Sequence, residues 1–301
     1  MDALIPLGLV GFAIALLASA VATKALRRAA MRLGLIDQPG GRKQHARPTP
    51  VVGGVAIVIA LAAVLPLGLG EIRSTDTASA DAGAVASVLA AFLVLLAVGL
   101  VDDRRGVGSR LKFLVQAAAA GLLVIGAGMS IEQLGHWPGG AAIQTGALAI
   151  PLTLVAIVGF VNAFNMIDGV DGLAGSTATI MLVVIAYVGW SAGAPLEAWV
   201  AVVAAGACAG FLLHNLRTPW RHRAAAFLGD AGSLVLGLVI VATAIALSQR
   251  PAAPISPMAI AWILALPVID TLNLMIRRLL RGQSPFHADR NHLHHILGRA
   301  G

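Results

Sequence analysis

Apolar stretches of about 20 residues without a formal charge recur nine times along the chain. They are Leu4–Thr23, Val51–Gly70, Ala82–Val101, Phe113–Ile131, Thr145–Ile167, Gly172–Leu196, Ala198–Leu216, Ala231–Gln249 and Pro251–Ile269. A helix rises 1.5 Å per residue and needs about 20 such residues to cross a hydrocarbon layer of about 30 Å. The pattern therefore predicts an all-α fold, a polytopic membrane helix bundle of about nine spans. No cationic segment precedes the first stretch, and Lys24-Ala-Leu-Arg27-Arg28 after it is a poor cleavage site. The first stretch thus reads as a retained span and not as a signal peptide.

Composition supports this reading. Hydrophobic residues make up 58% of the 301 and charged residues only 12%, about half the share of an ordinary soluble chain. Such a chain has too few polar side chains to cover a water-facing surface, which excludes a soluble enzyme, a disordered tail and a nucleic-acid module. The formal net charge of +7 is explained by where the basic residues fall. If nine helices alternate, nineteen of the twenty-one Lys and Arg lie on one side, and only Arg73 and Arg250 lie opposite. Basic loops stay in the cytoplasm, so the N-terminus is expected outside and Gly301 inside. Residues 1–301 read as one integral-membrane domain. The single cysteine, Cys208, lies in an apolar run and reads as a small buried hydrophobe.

The inner loops carry the residues whose chemistry needs explaining. Asn162-Ala-Phe-Asn165-Met-Ile-Asp168-Gly169-Val-Asp171-Gly172 runs off the inner end of the fifth span. Two amides and two carboxylates at intervals of three face one way if the helix continues for a turn. Oxygen donors of this kind suit Mg²⁺, which binds through few carboxylates together with substrate phosphates and water. The alternative is a helix C-cap with an Asx turn, but no Lys or Arg in this loop neutralises the carboxylates. Asp102-Asp103 closes the third span and is followed by Arg104, Arg105, Arg110 and Lys112. Neighbouring side chains on a helix point about 100° apart, so both reach one site only in a bent or terminal geometry. Gly229-Asp230-Ala-Gly232-Ser233 opens the eighth span, where Asp230 reads either as an N-cap or as a carboxylate sharing a metal-bound phosphate with backbone N–H groups.

Two further segments are basic. The first inner loop contains Arg42-Lys43-Gln-His45-Ala-Arg47-Pro-Thr-Pro50, leading into Gly53-Gly54, whose missing side chains permit close helix packing. Its plainer reading is a basic collar that binds lipid head groups. The tail contains His287-Ala-Asp289-Arg290-Asn-His292-Leu-His294-His295. Its spacing is poor for zinc on one helical face, and Arg290 with its histidines is better suited to gripping an anionic substrate. Asp270, inside the ninth stretch, must face the protein interior or water. Trp190, Trp199, Trp220 and Trp262 read as membrane-interface anchors.

Taken in order, these motifs resemble the polyprenyl-phosphate N-acetylhexosamine-1-phosphate transferases, the MraY/WecA superfamily. The resemblance covers nearly the whole chain: the Lys/His–Pro-Thr-Pro–Gly-Gly loop, Asp102-Asp103, Asn165–Asp168–Asp171, Asn215, Gly229-Asp230 and the Asp289-Arg290…His-Leu-His-His tail. It implies a bacterial cytoplasmic-membrane enzyme that moves a sugar phosphate from a UDP-sugar onto a polyprenyl phosphate, releases UMP, and requires Mg²⁺ or Mn²⁺. By the same resemblance Asn165 and Asp230 hold the metal, and Asp102 and Asp103 act on the lipid phosphate. Asp168 supports the metal shell or the structure. Asp171 and Asn215 form the nucleotide pocket. Lys112 lies near the phosphates, Lys43 and His45 bind substrate, and Arg290, His292, His294 and His295 grip diphosphate and sugar. The tail and the Pro-Thr-Pro-Val-Val-Gly-Gly loop look more like the WecA/TagO branch, which favours UDP-GlcNAc as donor. UDP-MurNAc-pentapeptide is the second choice of donor, and a transporter with ionisable groups along a midplane path is the non-enzymatic alternative. A homodimer is left open. Family members continue past the histidine tail into at least one further transmembrane helix, so a final helix is expected beyond Gly301 or has been lost.

Overall fold

The computed structural model describes residues 4–38, 48–75, 81–137, 139–250 and 256–283. Its elements in chain order are α1 (Leu4–Leu33), β1 (Ile36–Asp37), β2 (Thr49–Pro50), α2 (Gly53–Thr75), α3 (Ala82–Arg105), α4 (Ser109–Gly121), β3 (Gln133–His136), β4 (Ala142–Gln144), α5 (Ala149–Met166), α6 (Leu173–Ser191), α7 (Pro195–Asn215), α8 (Gly229–Ser248), α9 (Pro257–Ile263) and α10 (Ala265–Leu280). Eight of the described helices are long and apolar enough to cross a membrane. This is a multi-pass membrane protein with an all-α bundle.

The ninth stretch departs from a plain span. It is a pair, α9 and α10, bent by 77° and extending to Leu280. Pro267 accounts for the break, because its ring clashes with the carbonyl four residues earlier, at Ile263, where α9 ends. Asp270 is buried, as its position demanded, and it lies with Leu274 and Arg278 on the buried stripe of α10. Leu266, Ile269, Leu272 and Ile276 face outward. This reversal of a soluble helix's polarity suits an element whose surroundings are lipid. α2 continues through Thr75, past the second apolar stretch, which ends at Gly70.

Lipid chains are as apolar as leucine, so association inside the membrane rests on close packing more than on hydrophobic burial. The α1–α7 contact shows how the sequence provides this. Gly206 and Gly210 lie against the carbonyls of Phe12 and Leu16, where any side chain would overlap backbone. Trp199 is an interior residue and not an interface anchor: it is 3% exposed, covers Gly11 and Gly68, and donates its indole N–H to the Leu65 carbonyl at 3.0 Å. Trp220 and Trp262 are exposed, as anchors should be. Cys208 is buried and free.

α8 is the central helix, with α2, α3 and α5 packed around it, while α7 organises α1, α2 and α6. A helix apolar on every side belongs in such an interior. Its N-terminus is the point of closest convergence. A Cβ on Gly54 would overlap the backbone nitrogen of Gly232, and one on Gly99 would overlap the Cα of Ala231. The glycines of α2 and α3 therefore draw three helices together around residues 230–232. The ends of α1, α3, α5 and α7 and the starts of α2, α4, α6 and α8 meet at this pole, where Val51 bridges Phe227 beside the β1–β2 ribbon.

Candidate active site

At this convergence lies an open cavity of about 700 Å³, within the size range of small-molecule sites. Six carboxylates line it: Asp37, Asp102, Asp103, Asp168, Asp171 and Asp230. The lining cations are Arg104, Arg105 and Arg217, and Asn165 and Asn215 supply amides.

Asp102 and Asp103 divide their work. Asp103 accepts hydrogen bonds from the backbone N–H groups of Asp230 (2.7 Å) and Ala231 (3.1 Å). It therefore caps α8 from a different helix, placing a negative charge at the positive end of that helix's dipole. Asp230 is consequently not the N-cap. It lies in the first turn with its carboxylate free to face the cavity, and Gly229, at φ 78°, makes the left-handed approach that a side chain would resist. Asp102 accepts from the Val107 N–H at the end of α3 and from Lys112 Nζ at 2.9 Å.

Lys112 also reaches Asp230 Oδ2 at 3.1 Å, so one ammonium bridges carboxylates that come from α3 and α8. On the other side of Asp230, the Asn165 amide donates to Oδ1 and to Ser233 Oγ, the latter at 2.7 Å. Asp102, Lys112, Asp230, Asn165 and Ser233 thus form one chain of contacts across four helices.

The Asn162–Asp171 segment does not face one way. α5 ends at Met166, and Asp168 and Asp171 lie in the turn beyond it. Asn162 points instead to Gln116 of α4 and to the Val158 carbonyl, where it joins two helices. Asp171 is neutralised after all, by a residue distant in sequence: its Oδ2 accepts from Arg217 Nε at 2.9 Å and from the Ala224 N–H at 3.1 Å. Asn215 accepts from the Gly172 N–H at 2.7 Å and donates to the Ala226 carbonyl at 2.9 Å, tying the end of α7 to this turn and to the approach of α8. Burial pushes the Asp168 carboxyl well above the usual carboxylate range, and the charges of Asp103 and Asp171 push it further, against a lowering hydrogen bond from the Gly229 backbone.

The residues expected at the site fall into three groups. Asp102, Asn165, Asp230 and Lys112 are drawn together, with Asp103 beside them as a cap. Asp168, Asp171 and Asn215 line the neighbouring part of the same cavity. Lys43, His45, Arg290, His292, His294 and His295 lie outside the described residues. Three participants were not anticipated. Asp37 is the only acidic residue between Lys24 and Pro50, a signal that singles it out in hindsight. Ser233 sits one turn after Gly229, and Arg217 follows Asn215 by two.

A surplus of carboxylates around a cavity, already bridged by one ammonium, is chemically a place for positive charge. Among the described residues no three His, Cys, Asp or Glu side chains converge as a metal cage. Oxygen donors are the ligand type of Mg²⁺, which is held by one or two carboxylates with substrate phosphates and water completing its shell. Asp230, with Asn165 and Asp102 beside it, fits such an ion.

Fold and site together define a multi-pass membrane protein with a carboxylate-lined cavity at one pole of its bundle. The family described as glycosyl transferase family 4 matches residues 85–248, which carry most of this cavity, and the chain belongs to that family. It is 32% identical to the undecaprenyl-phosphate alpha-N-acetylglucosaminyl 1-phosphate transferase of Escherichia coli (strain K12), across 91% of this chain and 72% of that protein. The protein of the same name from Yersinia pestis is also 32% identical over the same shares. The decaprenyl-phosphate N-acetylglucosaminephosphotransferase of Mycobacterium tuberculosis is 33% identical across 98% of this chain and 76% of that protein.

Proposed function

We propose that this protein transfers N-acetylglucosamine 1-phosphate from UDP-GlcNAc to a polyprenyl phosphate, releasing UMP, at the cytoplasmic face of a bacterial inner membrane. The observation that carries the reading is the bridge Asp102–Lys112–Asp230–Asn165 in a carboxylate-lined cavity at a membrane pole. The relatives bear names of this reaction on undecaprenyl and decaprenyl phosphate. A transporter would instead distribute its ionisable groups along a path through the midplane. Here six of the described carboxylates line one cavity at one pole.

In the reaction an oxygen of the lipid phosphate forms a bond to the sugar-linked phosphorus. The bond from that phosphorus to the oxygen bridging to UMP breaks, and UMP leaves with the electron pair. A phosphate monoester has its second pKa near ~6, so the acceptor is mostly dianionic at neutral pH and needs little help from a general base. Positioning and charge compensation remain as the protein's task. Lys112 supplies a fixed cation beside the carboxylates. Asp230 and Asn165 would hold Mg²⁺ (or Mn²⁺), which supplies charge neutralisation to the donor diphosphate when bound. Asp103 keeps α8, and hence Asp230, in place. Asp171, anchored by Arg217 and Ala224, and Asn215, anchored by Gly172 and Ala226, shape the wall assigned to the nucleotide. Asp102 is assigned to the acceptor side.

The test is purified full chain with Mg²⁺, UDP-GlcNAc and undecaprenyl phosphate, reading UMP release and a lipid-linked sugar product. Turnover dependent on all three supports the proposal. Turnover with UDP-MurNAc-pentapeptide and none with UDP-GlcNAc would replace the donor, and absence of turnover with every UDP-sugar would overturn the reaction.

A further inference from the structure

A second pocket lies apart from the reaction cavity. Its volume is about 300 Å³, and Lys24, Arg27, Arg28 and Pro50 line it. The three cations occupy positions i, i+3 and i+4 of α1, one face of the helix. No carboxylate is within ion-pair distance of them among the described residues. Pro50 closes the pocket from the ribbon, whereas its neighbour Val51 lines the reaction cavity. The extended segment around Pro50 therefore has the basic pocket on one side and the carboxylate-rich cavity on the other, as alternation along a strand requires.

Arg27 is held ready for an acceptor. His214 of α7 donates from Nε2 to the Ala20 carbonyl at 3.1 Å, which leaves its Nδ1 as an acceptor, and Arg27 Nη1 approaches that nitrogen at 3.5 Å. The Nε of Arg27 is buried and has no partner among the described residues. One side of the guanidinium is thus tethered and a neighbouring donor is unsatisfied, which is the state in which a planar fork gains most from a phosphate oxygen.

Depth supplies the second argument. α1 has 30 residues and is about 45 Å long, longer than the hydrocarbon layer of about 30 Å. Twenty residues from Leu4 reach Thr23, so Lys24–Arg28 begins where the hydrocarbon ends and the phosphate groups lie. Basic pockets between helices at this depth bind anionic head groups. The described lining carries three cations, which is the charge that binds a phosphate.

We propose that the pocket formed by Lys24, Arg27, Arg28 and Pro50 is a binding site for the phosphate of an anionic phospholipid, separate from the reaction cavity. The lipid clamps α1 to the β1–β2 ribbon and, through Arg27 and His214, to α7. Asn215, the next residue, fixes Gly172 beside Asp171, so the bound lipid braces the wall of the reaction cavity from behind. The inference stands on this pocket alone and does not depend on the reaction proposed above.

The test is lipid binding to the purified full chain in neutral detergent by native mass spectrometry, with short-chain phosphatidylglycerol, phosphatidylcholine and polyprenyl phosphate as probes. The wild type is expected to retain one phosphatidylglycerol in preference to phosphatidylcholine. Arg27→Gln and Arg28→Gln should each weaken that retention about fivefold or more, from the contribution of one cation near a membrane phosphate. Arg110→Gln, an equal change of charge at an exposed residue outside the pocket, should leave it unchanged. Arg28 is itself exposed, so its variant separates loss of binding from loss of folding. Equal retention by wild type, Arg27→Gln and Arg28→Gln would overturn the site, as would an equal loss in Arg110→Gln. Preferential retention of polyprenyl phosphate, lost in the same two variants, would overturn the phospholipid assignment.

Discussion

Both poles of the bundle carry charged and polar networks, yet they are built to opposite rules. At the pole away from the reaction cavity, Arg250 meets Glu197 through two hydrogen bonds, at 3.0 and 2.8 Å, and also reaches the Gly193 carbonyl. Gln249 accepts from the N–H groups of Glu132 and Gln133 and donates to the Gln133 carbonyl and to Ser248, fastening the β3–β4 hairpin to the end of α8. There Arg250 matches the charge of Glu197, and the Gln249 amide is used on both its oxygen and its nitrogen. At the other pole six carboxylates line one cavity and share fewer cations, with Lys112 divided between two of them. A closed network holds a fold together. An open one, kept in imbalance by the helices around it, waits for charge from outside.

The largest effect should follow from removing the centre of the open network. Asp230→Ala is expected to lower turnover about 10³-fold, the scale of losing one preorganised electrostatic group, with the fold retained because Asp103 still caps α8. The check is UMP release across a range of Mg²⁺ concentrations beside a thermal melt. Near-normal turnover would make the two poles alike and end the distinction.

Glu197→Gln should do the reverse at the closed pole. It breaks a half-buried pair and should destabilise the protein by about 2 kcal/mol, less than a fully buried pair because both partners keep some solvent. Turnover at a temperature well below the melt should stay within about twofold of wild type. A large loss of turnover without a drop in melting temperature would show that this pole takes part in the chemistry.

The smallest effect concerns pH. Asp168 has its carboxyl raised above its unfolded value of about 3.9. Its ionised form is therefore disfavoured by the fold, and its contribution to stability is fullest below that value and falls as pH rises through the raised one. Asp168→Asn removes the penalty, so in the presence of a chelator its melting temperature should gain on wild type more at about pH 8 than at about pH 5. An equal difference at the two pH values would show that Asp168 does not carry the strain of this charge cluster.

Much of this was legible in the sequence, and the exceptions share a cause. The spans were legible because lipid leaves a backbone few options, and the two-glycine signal at Gly53-Gly54 foretold a close helix approach that Gly54 indeed makes with Gly232. The break between α9 and α10 was written in Pro267 but obscured by the length of the apolar run. Trp199 went inward because Gly11 and Gly68 make room for it, which no local pattern announces. The roles of the carboxylates were harder for the same reason. Asp103 and Asp102 are adjacent, yet one finds its partners on α8 and the other on α4. Asn162 and Asn165 are one turn apart, yet they serve different neighbours. The motifs marked which residues gather at one pole; only long-range packing assigned each its partner.

The bond between Asp103 and the first amides of α8 has a consequence for how the protein is made. The two partners are 127 residues apart. At a synthesis rate of about 5–20 residues per second, roughly 6 to 25 seconds separate their emergence from the ribosome. During that interval α3 is in the membrane with an acidic end whose permanent neighbour does not yet exist, and the Asp230 and Ala231 amides that Asp103 accepts arrive only with α8. A chain interrupted before Gly229 therefore lacks both Asp230 and the amides that Asp103 accepts. Assembly and competence come together, late in translation.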